Sequence, residues 1–131
     1  LVNITIPAST TIIESYAFNN CSSLSNIVIP YGVTTISNDA FNNCDSLKEV
    51  KIPSKVTSIG DYAFYDCSSL VSVYIPNSVT DMGYNIFGYG NQNITIYCEA
   101  ESKPDKWNSD WDAGGWNYDL KDNVIWGYKD E

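Results

Sequence analysis

Four prolines, Pro7, Pro30, Pro53 and Pro76, stand 23 residues apart, and the chain around them keeps the same step. Leu1, Leu24, Leu47 and Leu70 open the units, and Ile4, Ile27, Val50 and Val73 follow three residues later. Ile6, Ile29, Ile52 and Ile75 precede the prolines. Val33, Val56 and Val79, with Thr10 in the first unit, come next, then Ile13, Ile36, Ile59 and Met82. Phe18, Phe41, Phe64 and Phe87 share a phase, and Cys21, Cys44 and Cys67 end the pattern. A fixed period in the twenties means stacked coils, because one such unit cannot bury its apolar face alone and its neighbours must cover it.

Within a unit, Leu-x-x-Ile-x-Ile ends in period-two alternation, which predicts a short strand with Ile4 and Ile6 inward. Proline then ends the strand, since it cannot donate to a ladder. Val-Thr-x-Ile reads as a second extended piece. Ser15, Asn38 and Asp61 read as N-caps of one short helical turn, with Phe and Cys three apart on its face. The fourth unit departs from the pattern: Ile86 replaces alanine, Gly90 cysteine, and Asn93 the next leucine. Ile94 and Ile96 then resemble the strand pattern shifted two residues early. The expectation is an α/β solenoid, a right-handed superhelix of about four coils. It would comprise an array over 1–96 (repeats 1–23, 24–46, 47–69 and 70–92, final strand 93–97) and an aromatic, acidic cap over 97–131.

Charge and composition remove several function classes. The net charge is −9, there is no arginine, and Lys48, Lys51 and Lys55 are the only cations of residues 1–92. Phosphate neutralisation and bidentate guanine readout are therefore poorly served, so no nucleic-acid partner is expected. No segment reaches the ~20 apolar residues of a membrane span, so no direct membrane insertion is expected. Histidine is absent, which removes Ser-His-Asp and Cys-His catalysis and most zinc sites. No catalytic residue, metal ligand or cofactor is assigned. Leu1 already opens a unit, which predicts upstream repeats and self-association through an open first coil.

Several clusters allow more than one reading. Cys21, Cys44 and Cys67 could be a metal ladder, disulfides or a buried reduced column. Without a C-x-x-C spacing, and with parallel stacking that suits a disulfide poorly, the buried column is expected. Cys98 has no evident partner. Asp110-x-Asp112-x-Gly114-Gly115 resembles a calcium loop, but Lys121 stands where a bidentate glutamate is required. Asn3, Asn20 and Asn93 begin N-x-Ser/Thr sequons. Trp107, Trp111, Trp116, Tyr118, Trp126 and Tyr128 could stack sugars or serve as a hydrophobic lid over the last coil; the lid is the expectation. On the solvent face of the strands, Lys48, Lys51 and Lys55 fall in one coil between Val28 and Tyr74. These five residues are the candidate ligand contact.

The unit L-x-x-I-x-I-P-x-x-V-T-x-I-x-x-x-A-F-x-x-C-x-S, spelled out in Leu24–Ser46 and Leu47–Ser69, resembles the BspA-type leucine-rich repeat. It lacks the asparagine ladder of the commonest leucine-rich pattern. The resemblance implies a secreted or cell-surface protein, several relatives being implicated in adhesion, and it carries over no catalytic residues. The function expected is therefore a non-catalytic protein-binding or adhesion module with a host or cell-surface protein as partner. The alternatives are a passive spacer, or a carbohydrate-binding arm of a polysaccharide-active enzyme.

Overall fold

The computed structural model describes residues 2–89, 93–115 and 118–129. Leu1, Gly90 and Trp116, and the side chains of Asn3 and Tyr118, on which parts of the sequence reading rest, lie outside the described residues. The chain forms a parallel β-solenoid. Each coil contributes one longer strand, β1 (Val2–Thr5), β3 (Leu24–Val28), β5 (Glu49–Lys51), β7 (Ser72–Ile75) and β9 (Thr95–Cys98). Four coils add a two-residue strand, β2 (Ile12–Ile13), β4 (Thr35–Ile36), β6 (Ser58–Ile59) and β8 (Asp81–Met82). The short strands form one parallel sheet, β2-β4-β6-β8. The longer strands form β1-β3 and β5-β7-β9, the latter continued by β12 (Val124–Trp126). A hairpin, β10 (Ala113–Gly115) with β11 (Tyr118–Asp119), lies between. Register is the 23-residue step, as in Val50↔Val73 and Ile36↔Ile59.

The core is the set of in-phase columns read from the sequence. Leu24, Leu47 and Leu70, Val33, Val56 and Val79, and Ile36 and Ile59 are buried. Phe41 and Phe64 are buried and stack face to face along the axis, Phe18 on Phe41 and Phe41 on Phe64 at 5.2 Å, with Phe87 following at 5.9 Å. All four cysteines are free thiols; Cys44, Cys67 and Cys98 are buried and Cys21 is half-buried. Cys44 Sγ donates to the Phe18 carbonyl at 3.1 Å and Cys67 Sγ to that of Phe41 at 3.2 Å, so each thiol ties its coil to the preceding one.

The expected helical turns do not form, so the α component of the α/β reading is corrected: helix is confined, among the described residues, to one 3-10 turn at Lys121–Asn123. The third edge of each coil is a turn with two left-handed residues. These are Tyr16, Asp39, Tyr62 and Asn85, and Asn20, Asn43, Asp66 and Tyr89, with φ between 51° and 64°. The physical reason is the direction of the N–H groups. A helix would aim them along its own axis, whereas here they point to the next coil. Phe18 N–H donates to the Ala40 carbonyl, Phe41 to Ala63 and Phe64 to Ile86, at 2.8, 2.8 and 3.0 Å. The residues read as caps serve the same ladder. Asn38 Oδ1 accepts the Asp61 N–H at 2.8 Å, and Asp61 Oδ1 accepts that of Tyr84 at 3.0 Å. Gly60 and Gly83 leave room for those carboxamide and carboxylate groups. A Cβ on Gly60 would lie 2.3 Å from Asn38 Oδ1 and 2.6 Å from its backbone nitrogen.

The last strand also differs from expectation. It is β9, Thr95–Cys98, and it keeps the 23-residue step, with Ile96 opposite Val73 and Cys98 opposite Ile75. Ile96 therefore continues the Val73 column rather than restarting the pattern early. Cys98 takes the inward position that isoleucine holds in every earlier coil, which gives that residue its place. Burial raises its thiol pKa to about 12. The tail then adds a further, irregular layer. β12 pairs in parallel with β9, Val124 opposite Ile96. Trp107 bridges to Met82, and the Asn108 N–H donates to the Met82 carbonyl at 2.8 Å. The N–H groups of Asn85 and Ile86 reach the carbonyls of Asp110 and Trp111. All three edges of the last coil thus find partners in the tail. Trp107 and Trp111 are buried, and Trp107 Nε1 donates to the Val79 carbonyl at 3.0 Å. Burial overturns the sugar-platform reading for these two tryptophans.

Candidate protein-contact face

The outward positions of the longer strands stack in columns, since alternate side chains leave opposite faces of a strand. One column runs Thr5, Val28, Lys51, Tyr74, Tyr97. Thr5 faces Val28, Lys51 faces Tyr74, and Tyr74 faces Tyr97 in register, with Ile125 of β12 opposite Tyr97. Val28 is 81% exposed and Tyr31, just past the proline turn, 67%.

At the C-terminal end of this column three tyrosines meet. Tyr74 and Tyr97 stack at 4.7 Å with rings 6° from parallel. Tyr128 lies tilted over both, 5.6 Å from Tyr74 and 5.0 Å from Tyr97. Tyr128 reaches them because its N–H donates to the Cys98 carbonyl, which fixes the chain as it leaves β12. Beside the rings is an open groove of about 260 Å³, lined by Lys51, Ile52, Ser54, Tyr74, Ile75, Pro76, Tyr97, Glu99 and Tyr128. A second groove, of about 400 Å³, runs between Val28 and Tyr31 on one side and Glu49 and Lys51 on the other.

Two lysines lie over rings. Lys51 Nζ is 5.5 Å from the centre of Tyr74, and Lys55 Nζ is 4.9 Å from that of Tyr31. Such contacts contribute roughly 0.5–1 kcal/mol at exposed sites and, more usefully here, hold long side chains in place. Of the five residues picked from sequence, Val28, Lys51 and Tyr74 share one column and Lys55 joins them through Tyr31. Lys48 precedes β5, is exposed and lines neither groove. Tyr31, Tyr97 and Tyr128 belong to the same face but lie outside those five. Tyr97 is Tyr74 plus one period, a signal hidden by the misread register of the last strand.

Other candidate chemistry does not assemble. Among the described residues no three of His, Cys, Asp and Glu group so as to hold a metal ion. Asp110 and Asp112 instead use their carbonyls to bond Asn85 and Leu120. No helix among the described residues is long and apolar enough to cross a membrane.

A model of the BspA type leucine rich repeat region matches residues 1–103 in six copies. No protein of curated function matches the chain. Among solved structures, a leucine-rich repeat protein of T. pallidum (TpLRR) is 35% identical, with a TM-score of 0.66 over 70% of this chain and 42% of that one. A leucine-rich cell surface protein of Faecalibacterium prausnitzii A2-165 is 20% identical over 82% of this chain and 42% of its own, with a TM-score of 0.39. A leucine-rich repeat protein of Bacteroides ovatus is also 20% identical, over 97% of this chain and 55% of its own, with a TM-score of 0.43. The chain spans less than two thirds of the length of each.

Proposed function

Because this chain belongs to the BspA-type leucine-rich repeat family, we propose that it is a non-catalytic protein-binding module of a secreted or cell-surface protein, engaging its partner through the face around Lys51 and Tyr74. The observation that carries this reading is the tyrosine cluster at the end of the outward strand column, which also presents exposed Val28. Tyrosine supplies large contact area at small entropic cost, and interfaces concentrate their energy on such anchors. Tyr74, Tyr97 and Tyr128 already hold one another, so less freedom is lost when a partner docks. Exposed Val28 and Tyr31 extend the apolar surface along the axis. The spacer alternative needs no such surface. The carbohydrate-arm alternative loses Trp107 and Trp111 to the core.

The test is direct binding of the chain to a panel of host matrix and bacterial surface proteins, measured by interferometry. Three forms are compared: wild type, Val28→Asp with Tyr74→Ala on this face, and Tyr16→Ser on the turn edge, where Tyr16 is 62% exposed. Binding abolished by the face variant and kept by the turn-edge variant is expected. Binding that survives the face variant, or no binding to any protein of the panel, refutes the reading.

A further inference from the structure

Among the described residues no ion pair holds Lys51 or Lys55, in a chain whose net charge is −9. The carboxylates that flank them are held by other donors. Glu49 Oε2 accepts from Ser72 Oγ at 3.3 Å, and Glu99 Oε1 accepts the Asn77 N–H at 2.8 Å. Both ammonium groups instead rest on tyrosine rings, at 5.5 and 4.9 Å. Lys51 lines both grooves, and Lys55 reaches the second through Tyr31; the groove beyond Lys51 is lined by apolar Ile75 and Pro76, by the phenol rings of Tyr74, Tyr97 and Tyr128, and by Glu99. A tyrosine ring carries no formal charge, so an ammonium resting on it keeps its full positive charge and N–H groups free to donate, whereas a carboxylate partner would offset that charge.

From this arrangement we infer that the face recognises an acidic segment of a partner polypeptide, in which a carboxylate side chain meets Lys51 and an adjacent apolar side chain enters the groove beside Tyr74. The inference rests on the strand face being the binding surface. Charge complementarity selects the occupant. Three lysines against Glu49 leave residues 48–55 with a net charge of +2, whereas the rest of residues 1–92 carries six acids and no cation, so an acidic segment is repelled along the array except at this spot. Repulsion elsewhere fixes where such a segment lands, which is how charge confers register on an interface. A peptide is favoured over a sugar because the Tyr74 ring is covered on both faces, by Lys51 on one neighbouring rung and Tyr97 on the other. A sugar ring needs an open aromatic face; a carboxylate and a small apolar side chain do not.

The experiment is a selection of displayed random short peptides on the intact chain. Selected peptides are then measured individually against Lys51→Glu, Lys55→Glu, Val28→Asp, and Lys103→Glu as an off-face control. All four sites are exposed, and the melting curve of each variant checks its fold. Expected are peptides rich in aspartate or glutamate beside an apolar residue. They should bind about tenfold more weakly to Lys51→Glu, a loss of about 1.4 kcal/mol, and equally well to Lys103→Glu. Peptides that need Val28 but are neutral or basic, and indifferent to Lys51→Glu, overturn the carboxylate inference while leaving the face as the binding surface. Peptides indifferent to Val28→Asp, or no peptide selected at all, overturn both. A polyuronate that binds through Lys51 where acidic peptides do not overturns the choice of a polypeptide partner.

Discussion

Replacing Gly60 by alanine tests the stacking geometry with opposite signs for opposite models. Gly60 is outside the left-handed region, so backbone entropy alone predicts that alanine stabilises the chain by about 0.4–1 kcal/mol. The structure predicts the reverse. The new Cβ would stand 2.3 Å from Asn38 Oδ1, 2.6 Å from the Asn38 nitrogen and 2.9 Å from its Cα. Two of these atoms are backbone, so no rotamer change relieves them. Overpacking of this kind costs about 1–3 kcal/mol. Moving Asn38 also strains its bond to the Asp61 N–H, now 2.8 Å, a group worth about 1 kcal/mol. After the entropic gain, the net loss is about 2 kcal/mol, or a Tm lower by on the order of 5–10 °C. Urea and thermal unfolding, followed by circular dichroism, measure it. Asn38→Ser removes the nearest atom and should rescue Gly60→Ala in part, since Ser15 and Ser37 fill the equivalent places one coil earlier. A Gly60→Ala protein as stable as wild type, or more so, refutes the inter-coil contact.

Four further outcomes are expected. Phe41→Ala, in the middle of the ring stack, should cost about 3–5 kcal/mol in the same unfolding assay. The Cys98 pKa is raised from 9.0 to about 12 by burial, so the folded state keeps a proton that the unfolded state releases. That stability is full below pH 9 and is lost as pH rises towards 12, by on the order of 4 kcal/mol, and Cys98→Ala should flatten the loss in pH-dependent melts. Deleting the tail after Cys98 should expose Val79, Met82 and Ile86 and turn the array insoluble or lower its Tm, as read by solubility and melting. The isolated 131-residue chain should self-associate through its first coil, where Ile4, Ile6, Phe18 and Cys21 are only partly buried, and sedimentation over a concentration series reads it.

What is legible from sequence follows from side-chain phase, and what is not depends on contacts between coils. Leucine, isoleucine and phenylalanine at fixed phase have one way to be buried, so the columns and the strand register of the first four coils can be read directly. The turn edge could not, because Asn and Asp suit both a helix cap and a left-handed residue. The deciding factor, an N–H aimed at the next coil, belongs to no single unit. Tyr16 and Tyr62 gave no hint of positive φ, since bulky residues seldom adopt it. The last coil was misread because Asn93 and Cys98 stand at positions that are leucine and isoleucine elsewhere. That shift concealed Tyr97, and with it the stack on Tyr74. Lys48 was grouped with Lys51 by proximity in sequence, but it precedes the strand and does not share the groove.

The same geometry separates stability from recognition. Inward columns repeat because a parallel stack must present the same shape at every rung to keep its interior filled. The outward column has no such constraint: it runs Thr5, Val28, Lys51, Tyr74, Tyr97, and only the tyrosine recurs. Ligand specificity can therefore be written on that column while the fold underneath is unchanged. The consequence is a double dissociation. Changes at Val28 or Lys51, whose side chains are exposed, should alter partner binding and move the melting temperature by no more than surface substitutions usually do, within about 0.5 kcal/mol. Changes at Val50 or Val73, which are buried on the opposite side of the same strands, should lower stability and reach binding only through unfolding. If a core change such as Val73→Ala weakens binding at temperatures where the protein remains folded, the outward face is not independent of the core and this division fails.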